Sequence, residues 1–148
     1  MHKKLLVTAY FVIAALLQTL AGNFPLSFFA FPLNVIVAVI WIYSLWRLYK
    51  EGNKLPLTRF LLSSRTSVLS ILLLIGGSLV IGLFPQLSEA EADSMPGVLA
   101  SLGCYNFMTS WIFIAILFLL LSNLAMVLIH AFYHCVPAKK RFILNNLG

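Results

Sequence analysis

The chain has 148 residues, 61% of them hydrophobic and 9% charged, with a mean hydropathy of +1.00, whereas a water-soluble domain is about half apolar and about a quarter charged. A globule of this size buries only about two-thirds of the surface its unfolded chain exposes, so the surplus apolar surface must face lipid, and a water-soluble fold is excluded. The net charge of +6 does not point to nucleic acid, because the basic residues fall into three short clusters between apolar runs and form no contiguous phosphate-facing stripe.

Crossing a hydrocarbon core about 30 Å thick takes roughly 20 helical residues. Four stretches meet that requirement, at about residues 5–22, 27–45, 66–84 and 107–132, and none contains Lys, Arg, Asp or Glu. In lipid every backbone N–H and C=O needs a partner within its own segment or in a closed barrel. Barrel strands alternate apolar and polar residues and these runs do not, so the prediction is an all-α bundle of four transmembrane helices forming one membrane domain over residues 1–148.

The first run follows Lys3 and Lys4 and so looks like a signal peptide. No small-x-small site precedes Asn23, which favours a retained helix. An uncharged connection around Asn23, Phe24 and Pro25 predicts a tight hairpin into the second run. The connection at 46–65 carries Arg47, Lys50, Glu51, Lys54, Arg59 and Arg65, while that at 85–106 carries Glu89, Glu91 and Asp93 and no basic residue.

The positive-inside rule counts Lys and Arg in short loops near the membrane. A cytoplasmic N-terminus puts all ten basic residues inside, including Lys139, Lys140 and Arg141. The expected topology is therefore N-in/C-in, with 46–65 cytoplasmic and 85–106 extracytoplasmic. Trp41, Tyr43, Trp46 and Tyr49 then crowd the inner end of the second helix, and Tyr105 and Trp111 the outer end of the fourth, at the headgroup level that amphipathic rings prefer.

Few residues offer chemistry. Cys104 and Cys135 are separated by a helix about 46 Å long, far beyond the roughly 7 Å limit for a bridge, so they do not pair with each other. His130 and His134 stand at i, i+4 and project from one helix face. That geometry suits a metal or one axial ligand of a haem iron, but no Asp or Glu stands near to complete a shell, and the favoured reading is two interfacial polar residues closing a helix. Ser122 and Asn123 lie near the middle of the fourth span, where an amide needs a partner and usually finds it on a neighbouring helix.

In the third run Ser67, Ser70, Gly77, Ser78 and Gly82 fall on one side and predict a packing seam of small residues. There is no phosphate-binding glycine loop, Cys-x-x-Cys pair, Ser-His-Asp set or intramembrane carboxylate pair, so an enzyme on this chain alone is not expected.

Leu61-Leu62-Ser63-Ser64-Arg65-Thr66, followed by an apolar span ending Ile81-Gly82-Leu83-Phe84-Pro85-Gln86, resembles the first helix of ResB-type cytochrome c biogenesis proteins. Thr109-Ser110-Trp111-Ile112-Phe113, opening a helix with Leu120, Leu121 and Asn123, is similar to that family's second helix. Lys140-Arg141-Phe142-Ile143-Leu144-Asn145 resembles the approach to its third. The resemblance covers roughly Leu61 to Gly148 and none of its motifs is a catalytic signature.

It implies a haem-handling partner of the system II cytochrome c synthase, in the bacterial cytoplasmic (inner) membrane. The expected role is that of an accessory or truncated component of cytochrome c maturation, a scaffold and not a catalyst, with synthase components as partners. One departure bears on haem. Where the family's third helix begins with an Asn-His pair, this chain has Asn145-Asn146-Leu147-Gly148, and an amide does not replace imidazole as an iron ligand. His130, with His134 behind it, becomes the fallback cofactor-binding candidate. The other function classes are a small structural subunit of another membrane complex, docking through the small-residue seam, and a small transporter or channel, for which pore-lining charge is lacking.

Overall fold

The structure, a computed structural model, describes residues 2–52 and 55–145, without the side chains of residues 2–4, 89, 93 and 136–145. Among the described residues every regular element is helical. The long helices are α1 (His2–Ala21), α2 (Leu33–Lys50), α4 (Ser64–Leu83) and α7 (Trp111–Asn145). Between them lie the short α3 (Pro56–Leu61), α5 (Glu89–Asp93) and α6 (Val98–Ser101), with 3-10 turns at Leu26–Phe29 and Cys104–Thr109. Three segments are long and apolar enough to cross a membrane: Leu33–Lys50, Ser64–Leu83 and Trp111–Cys135. The apolar part of α1, Leu5–Ala21, falls just short of that length.

Helix α7 is the axis of the bundle, and α1, α2 and α4 each pack along it. Cross-helix partners give the directions. On α1, Tyr10 and Gln18 meet Ala115 and Trp111 respectively; on α4, Ser67 and Gly77 meet Asn123 and Phe113. Both helices therefore run antiparallel to α7. Trp41 and Tyr49 of α2 meet Ser122 and His130 in ascending order, so α2 runs parallel to α7. The start of α1, the end of α2, the start of α4 and the end of the Trp111–Cys135 segment thus share one end of the bundle. Arg47, Lys50, Arg59 and Arg65 stand at that end; Glu91 stands at the other.

The inward face is thin. Leu45, Phe60, Leu61, Leu119 and Met126 form its core, while Leu20, Phe31 and Leu83 remain 83%, 83% and 77% exposed. Large side chains are left outward along every long helix, which is the surface that lipid and not water accommodates.

Helix boundaries depart from the sequence expectation where proline and capping act. Apolar content alone starts the second helix at 27, but α2 begins at Leu33. Pro32 has no N–H to donate and restricts the residue before it, so residues 25–32 form a 3-10 turn and a cis Phe31–Pro32 peptide. The connection is consequently longer than a tight hairpin. At its other end α2 runs on to Lys50, five residues beyond the expected end, because Arg47 and Lys50 have stems that reach past the apolar boundary.

That shift leaves Trp41 in the middle of α2 and not at its end. Its indole N–H donates to Ser122 Oγ of α7 at 3.2 Å. The last long apolar helix starts at Trp111 and not at 107: buried Ser110 caps it, accepting from Phe113 N–H at 3.2 Å and donating to Phe107 C=O at 2.7 Å.

The small-residue seam of α4 is only half used. Ser67, Ser70 and Gly77 face α7, whereas Ser78 is exposed and bonds back to Leu74 C=O at 2.9 Å, and a side chain at Gly82 would meet nothing within 4 Å. At 100° per residue, positions 78 and 82 rotate off the contact line that 70 and 77 define.

Candidate functional site

Side-chain amides tie α7 and the turn before it into the bundle. At the end bearing Glu91, buried Gln18 accepts the Trp111 N–H at 2.8 Å and donates to Asn23 Oδ1 at 3.1 Å. That satisfies one of the first-turn donors a helix leaves open. Gln86 does similar work for the preceding turn, accepting from Phe107 N–H at 3.0 Å and donating to Cys104 C=O at 3.2 Å. Midway, Asn123 accepts from Ser67 Oγ at 2.8 Å and donates to Leu61 C=O. The amide is fully used as packing glue, as its position in an apolar run predicts. Gln18 and Gln86 were not legible as ties, because each bonds backbone groups that the sequence does not mark.

His130 and His134 lie at the basic end, on the exposed side of α7, their rings edge to face with centroids 4.3 Å apart. Helix α2 supplies the other half of the cluster. Tyr49 Oη sits 3.1 Å from His130 Nδ1, and the Tyr49 ring packs against His130 and Tyr133 at 5.9 and 5.2 Å. Trp46 Nε1–H donates to Tyr133 Oη at 2.6 Å, and Lys50 Nζ stands 3.8 Å over the Trp46 ring, an attraction between cation and ring quadrupole. Tyr43 continues the belt, 5.8 Å from Trp46.

Tyr49, Lys50, His130, Tyr133 and His134 line one wall of a groove of about 940 Å3 bounded by Thr58 and Leu62 behind α3 and by Ser64, Ser67 and Val68 of α4. Thr58 itself is buried and donates to Leu48 C=O at 3.3 Å, which holds α3 against the end of α2.

The chemistry open to this groove follows from its donors. A structural zinc centre needs four ligands, and among the described residues no group of three His, Cys, Asp or Glu comes together. Two histidines ligating one iron from opposite sides would hold their ring centroids ~6 Å apart, given metal–nitrogen bonds of about 2 Å. At 4.3 Å the pair does not hold one iron between two opposed imidazoles.

A single axial ligand does fit. With Nδ1 of His130 engaged by Tyr49, its Nε2 is the nitrogen left to coordinate, the arrangement in which a second partner orients a ligating imidazole. A flat macrocycle edged with carboxylates would find apolar walls in Leu62, Val68 and Val127 and a cation in Lys50. The residues present are therefore compatible with one-point haem ligation by His130, with His134 flanking it. Asn146, which stands where the resemblance calls for histidine, lies outside the described residues, as do Leu147 and Gly148.

The two cysteines stay apart and free: Cys104 half-buried before α7, Cys135 exposed near the far end of the span. Burial pushes the Cys104 thiol above its ordinary range.

What fold and groove together define is an all-helical protein with helices long and apolar enough to cross a bilayer. No family model, curated protein or solved structure matches this chain.

Proposed function

We propose that the chain is a four-span protein of the bacterial cytoplasmic membrane, with both termini on the cytoplasmic side, acting as a non-catalytic scaffold in cytochrome c maturation. In this reading it holds haem through His130 and presents it to cytochrome c synthase components. Four crossings are supported by α1, whose 20 residues reach about 30 Å and which packs along α7 as α2 and α4 do. The orientation is supported by the gathering of Arg47, Lys50, Arg59 and Arg65 at one end. The maturation role is supported by the ResB-like segments between Leu61 and Asn145.

One observation carries the haem assignment: His130 borders an open groove with Nδ1 set against Tyr49 and Nε2 left to coordinate. Haem titrated into the purified protein in detergent should develop a Soret band. His130→Ala should abolish it, His134→Ala should keep it, and Tyr49→Phe should weaken affinity about 10-fold or more, as loss of an orienting partner does. A Soret band indifferent to His130→Ala, or no band at all, would refute the assignment.

A second reading, a small structural subunit of another membrane complex, draws on the unused part of the α4 seam. Ser78 and Gly82 present a low-relief strip to the surroundings, and such strips let another helix approach closely. Gly82→Leu would then release a co-purifying partner while leaving haem binding unchanged.

A further inference from the structure

Helices α1 and α2 both lean on α7, and between them opens an apolar cleft of about 830 Å3. Ala9 and Ile13 form its α1 wall, Trp41 and Ser44 its α2 wall, and Phe118 and Leu119 its floor. Leu57, Phe60 and Leu61 of α3 close it at the basic end of the bundle.

Its polar atoms are already engaged. Tyr10 Oη–H donates to Ala115 C=O at 2.8 Å, Trp41 Nε1–H to Ser122 Oγ at 3.2 Å, and Ser44 Oγ–H to Ile40 C=O at 2.7 Å. These bonds turn the cleft's donors inward, so the part of the occupant inside the cleft meets only shape and apolar contact.

Length suits hydrocarbon as the occupant. Between Val37 and Leu48 the cleft runs about 16 Å along α2, close to one leaflet's share of a hydrocarbon core about 30 Å thick, and its engaged donors leave apolar walls along which a row of methylenes lies.

Charge then selects among lipids. Arg47 on α2 and Arg59 on α3 are exposed residues set among the cleft residues Ser44, Leu48, Leu57 and Phe60, which places cationic side chains at the headgroup level of that leaflet.

We infer that the α1–α2 cleft is a lipid site that takes an acyl chain of an anionic phospholipid from the leaflet facing the basic end, with Arg47 and Arg59 at its headgroup. The site rests on the helices crossing a bilayer and is independent of haem, so it stands or falls separately from His130.

Trp41 is the built-in reporter. The full-length variant Trp46→Phe/Trp111→Phe leaves it as the single indole; at Trp111 the change removes a buried N–H that has no partner among the described residues. Reconstituted into vesicles containing a minor fraction of brominated phosphatidylglycerol, Trp41 should be quenched more strongly than with the same fraction of brominated phosphatidylcholine. The preference should be about fivefold in apparent affinity for each basic side chain engaged.

Arg47→Gln/Arg59→Gln should remove the preference and leave the quenching. Ser44→Phe and Ala9→Phe, which fill the cleft from opposite walls, should each remove the excess quenching, while Ile42→Phe, on the lipid-facing side of α2, should not. Equal quenching by the two lipids overturns the inference. So does a preference that survives both filling variants, which would put the lipid elsewhere. Quenching by neither lipid, with Ser44→Cys forming a disulfide-linked dimer, would give the cleft to a second copy of the chain and overturn it as well.

Discussion

Replacing Asn123 by leucine tests how the bundle is held, because it conserves volume while removing the tie shared by three elements. Its carbonyl oxygen accepts from Ser67 of α4 and its amide donates to Leu61 C=O at the end of α3. Interhelical hydrogen bonds within a membrane contribute about 0.6 kcal/mol on average and about 1.7 at most, so the two together are worth about 1–3 kcal/mol.

The orphaned groups then differ. Ser67 Oγ can turn to a carbonyl of its own preceding turn, but Leu61 C=O belongs to the last turn of a short helix and has no intrahelical partner. Leaving it buried and unpaired adds about 1–3 kcal/mol. Asn123→Leu should therefore cost about 2–6 kcal/mol, read as the shift in denaturant unfolding of the detergent-solubilised protein followed by helical circular dichroism. Ser67→Ala should cost about 1 kcal/mol, and the double mutant should show a coupling of similar size. A cost under about 0.5 kcal/mol for Asn123→Leu, or no coupling to Ser67, would refute the reasoning, since a solvated amide would not behave this way.

The two ends of the α4 seam should respond oppositely to bulk. A Cβ at Gly77 already meets Phe107 Cε1 at 3.2 Å and Phe113 Cδ2 at 3.5 Å, so Gly77→Leu should destabilise by about 1–3 kcal/mol through overpacking, while Gly82→Leu, with open space around it, should be neutral in the same unfolding assay. Topology is readable from the cysteines: a membrane-impermeant maleimide on intact cells should reach Cys104 and not Cys135, which should label only after permeabilisation. Because burial raises the Cys104 thiol's pKa, its labelling should be slow at neutral pH and accelerate as pH rises; labelling of Cys135 in intact cells would invert the orientation.

The α5 capping box is the acid-sensitive element outside the membrane. The Ser88 hydroxyl and then the Ser88 backbone N–H, both donating to Glu91 Oε2, hold the Glu91 carboxyl below its ordinary value of 4.5. A depressed folded pKa gives stabilisation that is complete above the ordinary value and lost as pH falls through the lowered one. Amide exchange in residues 88–93 should accordingly rise on acidification below about pH 4.5, and Ser88→Ala should abolish that dependence.

The apolar runs were legible because lipid imposes one requirement on every residue of a span, and a local sum of hydropathy detects it. Boundaries were less so. A hydropathy sum treats Pro32 as one more apolar residue, yet its missing N–H and restricted φ move the start of α2 to Leu33 and carry Trp41 from the expected interface to mid-helix. Asn123 was legible as a tie because a lone amide in an apolar run must find a partner, but which partner was not, since Ser67 and Leu61 lie about sixty positions away. The same holds at the candidate site: the i, i+4 spacing of His130 and His134 fixes their shared face, but the Tyr49 contact at His130 depends on how α2 and α7 meet.

The basic end concentrates the chemistry because two grooves meet there on opposite sides of the same walls. Helix α2 turns Trp41, Ser44 and Leu48 to the apolar cleft and Tyr49 and Lys50 to the histidine groove, and α3 turns Leu57 and Phe60 one way and Thr58 the other. In the cleft the polar atoms are satisfied within the protein and hydrocarbon is the only partner left. In the groove, Lys50 Nζ stands over the Trp46 ring and His130 Nδ1 lies against Tyr49 Oη, which leaves Nε2 for the haem of the proposed function. The buried Thr58 bond to Leu48 holds α3 to α2 and Asn123 holds it to α7, so the short helix Pro56–Leu61 is the fixed partition between cleft and groove.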